Sequence, residues 1–333
     1  MAIEIKHLDN FYSRLLGSNY YSLYLECVSR LRNGTFNISY TMDVDDSFSE
    51  QVKNVVSAIL YGCPELFYVG QNVSFEYNGG QVHVSFPNNY PNKKLNDLND
   101  ELNEKIGEIS GKIAQIPDFF DKIFALNEYL CDNIIGENDY TDDNGNAYGT
   151  LINNRARCEG VCKAAKLILD RLDINSIICV GSAFNCGNEY PHAWMLIEYE
   201  GQNYAFDFSF NISMTVHHIP GVVYTFMDRK NIEAEHKGLY FYPVTEDDQY
   251  LFWKRHNGET EYLYELANAD ILEHNNCFYS VHHFVDMEFD DYQENNEMGD
   301  WVMSELSPYS RADSFTFVYR RPINVLMVYF INE

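Results

Sequence analysis

The feature that most constrains the fold of this chain is a helical pattern followed directly by strand patterns. From residue 157 to 172, apolar residues recur at the spacing of one helix face, which predicts a buried helix. Three strand-like runs follow, at residues 176–184, 192–199 and 202–208. The pair Glu200-Gly201 separates the last two runs and suits a two-residue hairpin turn. A helix followed by antiparallel strands predicts an α+β fold in which the helix packs on the sheet.

Patterns on either side of this segment divide the chain of 333 residues into three parts. The first part has an amphipathic helix pattern through Phe11 and Leu15 and a hairpin signal at Asn78-Gly79-Gly80. The second part begins with helical periodicity, including a helix after Pro117. In the last part aromatic and polar residues alternate, and two closing strands are expected. The predicted domains are an N-terminal α+β domain at 1–95, a core at 96–235 and a β-rich region at 236–333.

Composition excludes several classes of function. Lys and Arg total 23 and Asp and Glu total 50, which gives a formal charge of −27. Such a chain repels phosphate, so we predict no nucleic-acid partner. The start of the chain lacks an apolar signal-peptide core, and no run of about 18 apolar residues occurs, so we predict no membrane insertion. The location is expected to be cytoplasmic if Met1 is native, and extracellular or cell-surface if a signal peptide has been removed. The eight scattered cysteines favour reduced thiols.

Cys158 stands where the predicted helix begins. The first N–H groups of a helix have no partner within the helix, and the positive end of the helix dipole lies there. A thiol at a helix start ionises more readily, and the N–H groups, including that of Cys158, can stabilise an oxyanion formed when the sulfur attacks a carbonyl. Cys162 lies a full turn further along, where the N–H groups are already paired, and is predicted to be an inert packing thiol. Cys158 is therefore the candidate nucleophile.

A base and its orienting carboxylate come from the predicted hairpin. With Glu200-Gly201 as a two-residue turn, facing residue numbers sum to 401, so Trp194 faces Asp207. Asp207 is then the diagonal neighbour of His192 on the same side of the sheet, within ~8 Å between backbones. A three-residue loop would place the two side chains on opposite faces. The order Cys, His and Asp, with the nucleophile on a helix, is the arrangement of a cysteine acyl-transfer triad.

The motifs around these residues resemble the bacterial transglutaminase-like superfamily. The resemblance rests on Cys158-Glu-Gly, on Gly181, on His192-Ala-Trp and on Tyr204-Ala-Phe-Asp, and it covers about residues 118 to 210. It implies a papain-like core in which Cys158 is the nucleophile, His192 the base and Asp207 the residue that orients it. No cofactor is implied, and the implied partner is a peptide or protein substrate. The chain departs from the family pattern at Val161, Met195, Ser209 and Phe210, which places substrate preference in question more than the triad.

Other assignments stay open. Trp194 and Tyr140 are candidate substrate-binding residues, although Trp194 is also a candidate core residue, and Tyr140 and Asn154 are candidates for a second oxyanion donor. A zinc site could be drawn from the cysteines and His192, but these residues lack the tightly spaced pairs of structural zinc sites, so no metal is predicted. The predicted activity is hydrolysis of amide or peptide bonds. The alternatives are a catalytically silent scaffold for protein or glycan binding and a protein-crosslinking transglutaminase. The oligomeric state is left open.

Overall fold

The computed structural model describes residues 9–137, 141, 143–185, 188–216, 224–233, 235–239 and 242–246. It also describes three strands nearer the C-terminus. The described part mixes helices with antiparallel sheets, which confirms the α+β prediction. None of the described helices combines the length and the apolar character needed to span a bilayer. Buried apolar side chains between Tyr12 and Val244 form one connected cluster.

The N-terminal region consists of two helices and a small antiparallel sheet. The helices are α1 (Ser18–Arg32) and α2 (Phe48–Gly62), and the strands are β1 (Asn37–Thr41), β2 (Ser74–Asn78) and β3 (Gln81–Ser85), in the order β1-β3-β2. The hairpin prediction is confirmed, because Gly79 and Gly80 both adopt positive φ between β2 and β3. The prediction of a helix through Phe11 and Leu15 is wrong. That segment holds only a 3-10 turn at Ser13–Leu15, and Leu15 is 55% exposed, so its apolar spacing does not mark a buried face.

The second region surrounds a four-stranded sheet. Its helices before the sheet are α3 (Leu95–Ile113), α4 (Phe119–Asn133), α5 (Ala147–Asn153) and α6 (Cys158–Arg171), and β4 (Ile135–Gly136) pairs in parallel with β5 (Arg155–Ala156). The sheet strands are β6 (Ser176–Asn185), β7 (Asn188–Tyr199) and β8 (Gln202–Phe206), followed by α7 (Phe208–Val216), α8 (Arg229–Glu233) and β9 (His236–Lys237). The sheet order is β8-β7-β6-β9, all antiparallel. Helix α6 packs against β6 and β7, as the sequence predicts.

The hairpin between β7 and β8 has the predicted register. Met195 pairs with Phe206 and Tyr199 with Gln202, so facing numbers sum to 401. Glu200 and Gly201 both have positive φ, at 50° and 76°, which is the conformation of a type I′ turn. The third strand is shorter than the predicted 202–208, because it ends at Phe206, and Asp207 caps α7, which begins at Phe208.

The described part of the C-terminal region is a three-stranded antiparallel sheet. Its strands are β10 (Cys277–His283), β11 (Ser314–Arg320) and β12 (Val325–Ile331), in the order β10-β12-β11. The two closing strands predicted at 314–319 and 324–331 therefore pair with each other, and β12 also pairs with β10.

Candidate active site

Cys158 is the first residue of α6 and lines an open cleft. The first helical bond of α6 runs from the Val161 N–H to the Arg157 carbonyl, with an N···O distance of 3.1 Å. The N–H groups of Cys158, Glu159 and Gly160 therefore precede the helical ladder and sit at the positive end of the helix dipole. One turn further along, burial and the neighbouring Cys158 thiol raise the pKa of Cys162 well above its ordinary value. Cys162 thus stays a protonated packing thiol at neutral pH.

Glu159 anchors the start of α6 through buried ion pairs. Its carboxylate lies 2.6 Å from Lys163 Nζ and 3.4 Å from Arg157 Nη2, and the Gln71 amide from the N-terminal region also donates to it. Burial alone would raise the pKa of Glu159, but Lys163 and Arg157 outweigh burial and lower it. Lys163 donates in addition to the Gly145 carbonyl at 3.2 Å. Glu159 therefore stays ionised and ties the helix start to the preceding loop.

Gly160 completes this arrangement because a side chain would not fit there. A Cβ at residue 160 would lie 2.4 Å from the Asn144 carbonyl oxygen and 2.8 Å from Thr150 Oγ1. The same Asn144 carbonyl accepts the Arg157 N–H at 2.9 Å. Glycine thus lets the loop at 143–145 contact the first turn of α6 directly, which explains its place after Cys158 and Glu159.

His192 and Asp207 meet as the hairpin register requires. His192 Nε2 lies 2.6 Å from Asp207 Oδ2, and both side chains are buried, with 6% and 0% exposure. Cys158 and His192 line the same cleft, and because Asp207 occupies Nε2, Nδ1 is the ring nitrogen left for Cys158. Burial alone would lower the pKa of His192, but the Asp207 carboxylate and, less strongly, the neighbouring Cys158 outweigh burial and raise it to about 10. The imidazole therefore binds a second proton more readily than an ordinary histidine does.

Asp207 is fixed by its position at the start of α7. Its Oδ1 accepts the Phe210 N–H at 2.9 Å and the Ser209 hydroxyl at 2.8 Å, which is the pattern of a helix N-cap. Burial would raise the pKa of Asp207, but His192 and the other donors outweigh burial and keep it well below its ordinary value. The carboxylate is therefore ionised and oriented, with Oδ2 directed at His192.

A second histidine, which the sequence analysis does not assign, also contacts Asp207. His236 Nε2 lies 2.9 Å from Asp207 Oδ2, the same oxygen that receives His192. His236 belongs to the two-residue strand β9, paired with the edge of β6, and is 1% exposed. A strand of two residues leaves no periodic pattern, so no local signal in the sequence identifies this histidine.

The His192, Asp207 and His236 ligand atoms lie within 4.8 Å of one another, so the group needs testing as a metal site. Ligand atoms that bind zinc tetrahedrally at 2.0–2.2 Å from the ion are roughly 3.3 Å apart. Here the two nitrogens lie 2.6 and 2.9 Å from one carboxylate oxygen, which is direct hydrogen-bonding distance. An ion would have to spread the three side chains, so the arrangement fits a hydrogen-bonded group better than a metal centre.

The cleft beside Cys158 and His192 has a volume of about 500 Å³. One side comes from α7 and the β4 segment, including Phe210 and Gly136, and another from β6 and β7. Tyr61 and Gln71 bring the N-terminal region into the lining. The Phe210 ring also packs against His192, tilted by 35° with ring centroids 4.7 Å apart, so it shields one side of the imidazole.

The other predicted site residues have different positions. Trp194 is fully buried behind His192, with ring centroids 6.4 Å apart, and its indole nitrogen has no partner among the described residues. The structure therefore places Trp194 in the core, because a side chain with 0% exposure presents no surface to a substrate. Asn154 is the exposed left-handed residue that ends α5. Tyr140 lies outside the described residues.

Comparisons with known proteins give distant likenesses in fold. No protein-family model and no curated protein matches the chain. Among solved structures, a transglutaminase aligns at 15% identity and a TM-score of 0.31, over 52% of this chain and 50% of that one. A proposed cysteine protease from Cytophaga hutchinsonii aligns at 14% identity and a TM-score of 0.28, over 41% of this chain and 61% of that one. The chain thus spans only half to three-fifths of these structures, and the likenesses assign no activity to it.

Proposed function

We propose that this protein is a cysteine-dependent acyl-transfer enzyme that hydrolyses amide or peptide bonds. The observation that carries the proposal is that His192 lines the same cleft as Cys158 while its Nε2 bonds the Asp207 carboxylate. This cleft is large enough for a side chain and its flanking backbone. A buried histidine beside a thiol and an ionised carboxylate is suited to nucleophilic catalysis.

The reaction follows from the roles of the three groups. His192 Nδ1 holds the proton that Cys158 gives up, and the thiolate sulfur attacks the substrate carbonyl to form a tetrahedral oxyanion beside the first N–H groups of α6. The imidazolium then gives its proton to the leaving nitrogen, the carbon–nitrogen bond breaks, and an acyl thioester remains on Cys158. Water gives a proton to Nδ1 as its oxygen attacks the thioester carbonyl, the carbon–sulfur bond breaks as the acid leaves, and the released thiolate again faces the protonated imidazole. Asp207 stays ionised and keeps Nε2 protonated.

We propose water rather than an amine as the usual acceptor. Efficient transfer to an amine requires a site that excludes water while it admits a second substrate. The cleft is open, and the charged residues that line it beside Cys158, namely Glu137, Arg157 and Glu159, are each paired with another charged side chain. A protein-crosslinking transglutaminase and a silent scaffold remain the alternatives that an experiment must separate.

The test incubates the native protein with a mixture of peptides and a labelled primary amine, and follows the products by mass spectrometry. We expect new peptide termini or free acids that the Cys158→Ala variant does not produce, and little amine incorporation. Incorporation of the amine with little free acid would identify a transglutaminase. No product from any peptide would favour the scaffold.

A thiol probe gives an independent measure of the same proposal. Cys131 is half-buried like Cys158, but burial and neighbouring carboxylates raise its pKa to about 12. It therefore serves as an internal reference of similar exposure. We expect an electrophilic probe at neutral pH to label Cys158 at least about 100-fold faster than Cys131, because Cys158 lines the cleft with His192, whereas the pKa of Cys131 is raised. Equal rates would contradict the proposed nucleophile.

A further inference from the structure

Asp207 Oδ2 accepts two hydrogen bonds from two histidines. His192 Nε2 lies 2.6 Å away and His236 Nε2 lies 2.9 Å away, and Oδ1 is occupied by Ser209 and Phe210. Each oxygen of the carboxylate therefore receives two donors. The proposed mechanism needs only the bond from His192, so the role of His236 requires its own explanation.

The pairing of β9 with β6 brings His236 to this oxygen. Strand β9 pairs with the edge of β6, where His236 lies opposite Ala183. A Cβ at Gly181, which pairs with His192 across β6 and β7, would lie 2.1 Å from the Lys237 carbonyl oxygen. Only glycine at 181 therefore allows β9 to approach this closely. The His236 ring is then held edge to face with Trp194, at 4.9 Å between centroids.

The direction of the second hydrogen bond is fixed by the chemistry of Asp207. Because an ionised carboxylate only accepts, His236 must donate its Nε2–H. Its Nδ1 is buried and has no partner among the described residues, so the ring's other nitrogen stabilises nothing else there. A buried imidazole with one orphan nitrogen is poorly satisfied as a packing residue, and its single bond is directed at the triad carboxylate.

We propose that His236 is a positioning residue, which holds the Asp207 carboxylate by a second hydrogen bond and limits how strongly that carboxylate binds the His192 proton. Two N–H donors that converge on one oxygen carry like partial charges and repel each other, so each bond is weaker than it would be alone. The His192 proton consequently stays on the imidazole, which remains able to release its other proton to the leaving group. This inference rests on the proposed triad and adds a fourth residue to it.

A matched pair of variants separates this role from simple packing. His236→Gln keeps an amide donor near the position of Nε2, whereas His236→Leu fills similar space without a donor. If His236→Leu does not fold, His236→Asn replaces it, because its shorter amide cannot reach Asp207. His83→Gln, on β3 where His83 bonds Ser39, is the control for loss of a histidine elsewhere.

The first readout is proton NMR of the protein labelled with ¹⁵N-histidine, recorded without substrate at one fixed pH. We expect two low-field imidazole N–H resonances, one each from His192 and His236. In His236→Leu, or in His236→Asn if that variant replaces it, one resonance disappears and the His192 resonance moves further downfield, because its bond to Asp207 has lost a competitor. His236→Gln leaves the His192 resonance near its original position, and His83→Gln changes neither. An unchanged His192 resonance in the donorless variant overturns the proposal.

The second readout is turnover of any substrate found for the enzyme. We expect the donorless variant to lower kcat by about 10- to 100-fold with KM changed little, since one hydrogen bond to a charged group is lost. His236→Gln should recover most of that loss, and equal losses in both variants overturn the proposal. Because the NMR readout needs no turnover, it tests His236 even if the proposed function fails, and retained activity in Cys158→Ala would show that separate failure.

Discussion

The two sides of the cleft hold their buried polar groups in different ways. On the helix side, Glu159 is held by Arg157 and Lys163, residues two and four positions away. On the sheet side, Asp207 gathers His192 and His236, which lie 15 and 29 positions away. The helix side is a charged cluster made by local sequence, whereas the sheet side is a hydrogen-bonded group made by the fold. The difference teaches that the proposed nucleophile is positioned by its own helix, while the proposed base depends on the tertiary structure.

The largest expected effect concerns the nucleophile on the helix side. Cys158→Ala should abolish turnover, since it removes the sulfur that forms the acyl intermediate proposed here. Cys162→Ala should keep most activity, because Cys162 is buried and its pKa is raised well above the ordinary value. Brief iodoacetamide treatment of the native protein at about pH 6, followed by peptide mapping, should mark Cys158 before Cys162. The reverse pattern would move the nucleophile one helical turn.

The next effect belongs to the base and its orienting residue on the sheet side. His192→Ala should reduce kcat by roughly 10² to 10⁴, the usual loss on removing a general base. Asp207→Asn should reduce kcat less, because the imidazole remains but loses the charge that orients it. Circular dichroism should show that both variants keep their secondary structure. Wild-type turnover in His192→Ala would remove the sheet side from the mechanism altogether.

This comparison also explains how much the sequence could predict. Cys158 was identifiable because a helix start is a local pattern, and the pairing of His192 with Asp207 followed from one hairpin register, confirmed by the type I′ turn at Glu200-Gly201. Both are short-range features of the chain. The end of β8 was misplaced because Asp207 caps α7, and a capping residue cannot be told from a strand residue by alternation alone.

His236 lay beyond prediction for a different reason. Its contact with Asp207 depends on β9 pairing with the far edge of the sheet, and that pairing is allowed by the missing side chain at Gly181. Trp194 shows the same limit, since the sequence left it open between substrate binding and the core, and only the structure shows that it is buried. Elements that come later in the chain decide which face of a strand is covered.

The third prediction tests the helix side through stability. Glu159→Gln should lower the free energy of unfolding by about 3 kcal/mol, because the buried Lys163 ammonium would lose its carboxylate partner at 2.6 Å. Glu108→Gln is the matched control: Glu108 and Lys112 have the same spacing of four residues and lie 2.8 Å apart, but both are exposed. Its effect should stay below about 0.5 kcal/mol. Similar losses in urea unfolding of the two variants would mean that the helix cluster contributes no more than a surface pair.

The smallest expected effect is the pH dependence of the unfolding free energy that Asp207, on the sheet side, contributes. The pKa of Asp207 is lowered in the folded protein, chiefly because His192 and His236 outweigh burial. The unfolded chain therefore binds the proton more readily, and stability rises with pH where the unfolded carboxyl titrates, near pH ~4. His192 is protonated in both states below about pH 5.5, since its folded pKa is raised above the ordinary value, so it adds nothing to this slope.

Between pH 5.5 and 3 the wild type should thus lose more unfolding free energy than Asp207→Asn, by an order of 1 kcal/mol. Urea unfolding at a series of pH values measures the two curves, and Asp207→Asn starts lower but should fall less steeply. Because Glu159 also has a lowered pKa and is present in both proteins, its contribution cancels in the difference. Parallel curves would show that Asp207 does not change its proton affinity on folding, and the two histidines could then not be holding an ionised carboxylate.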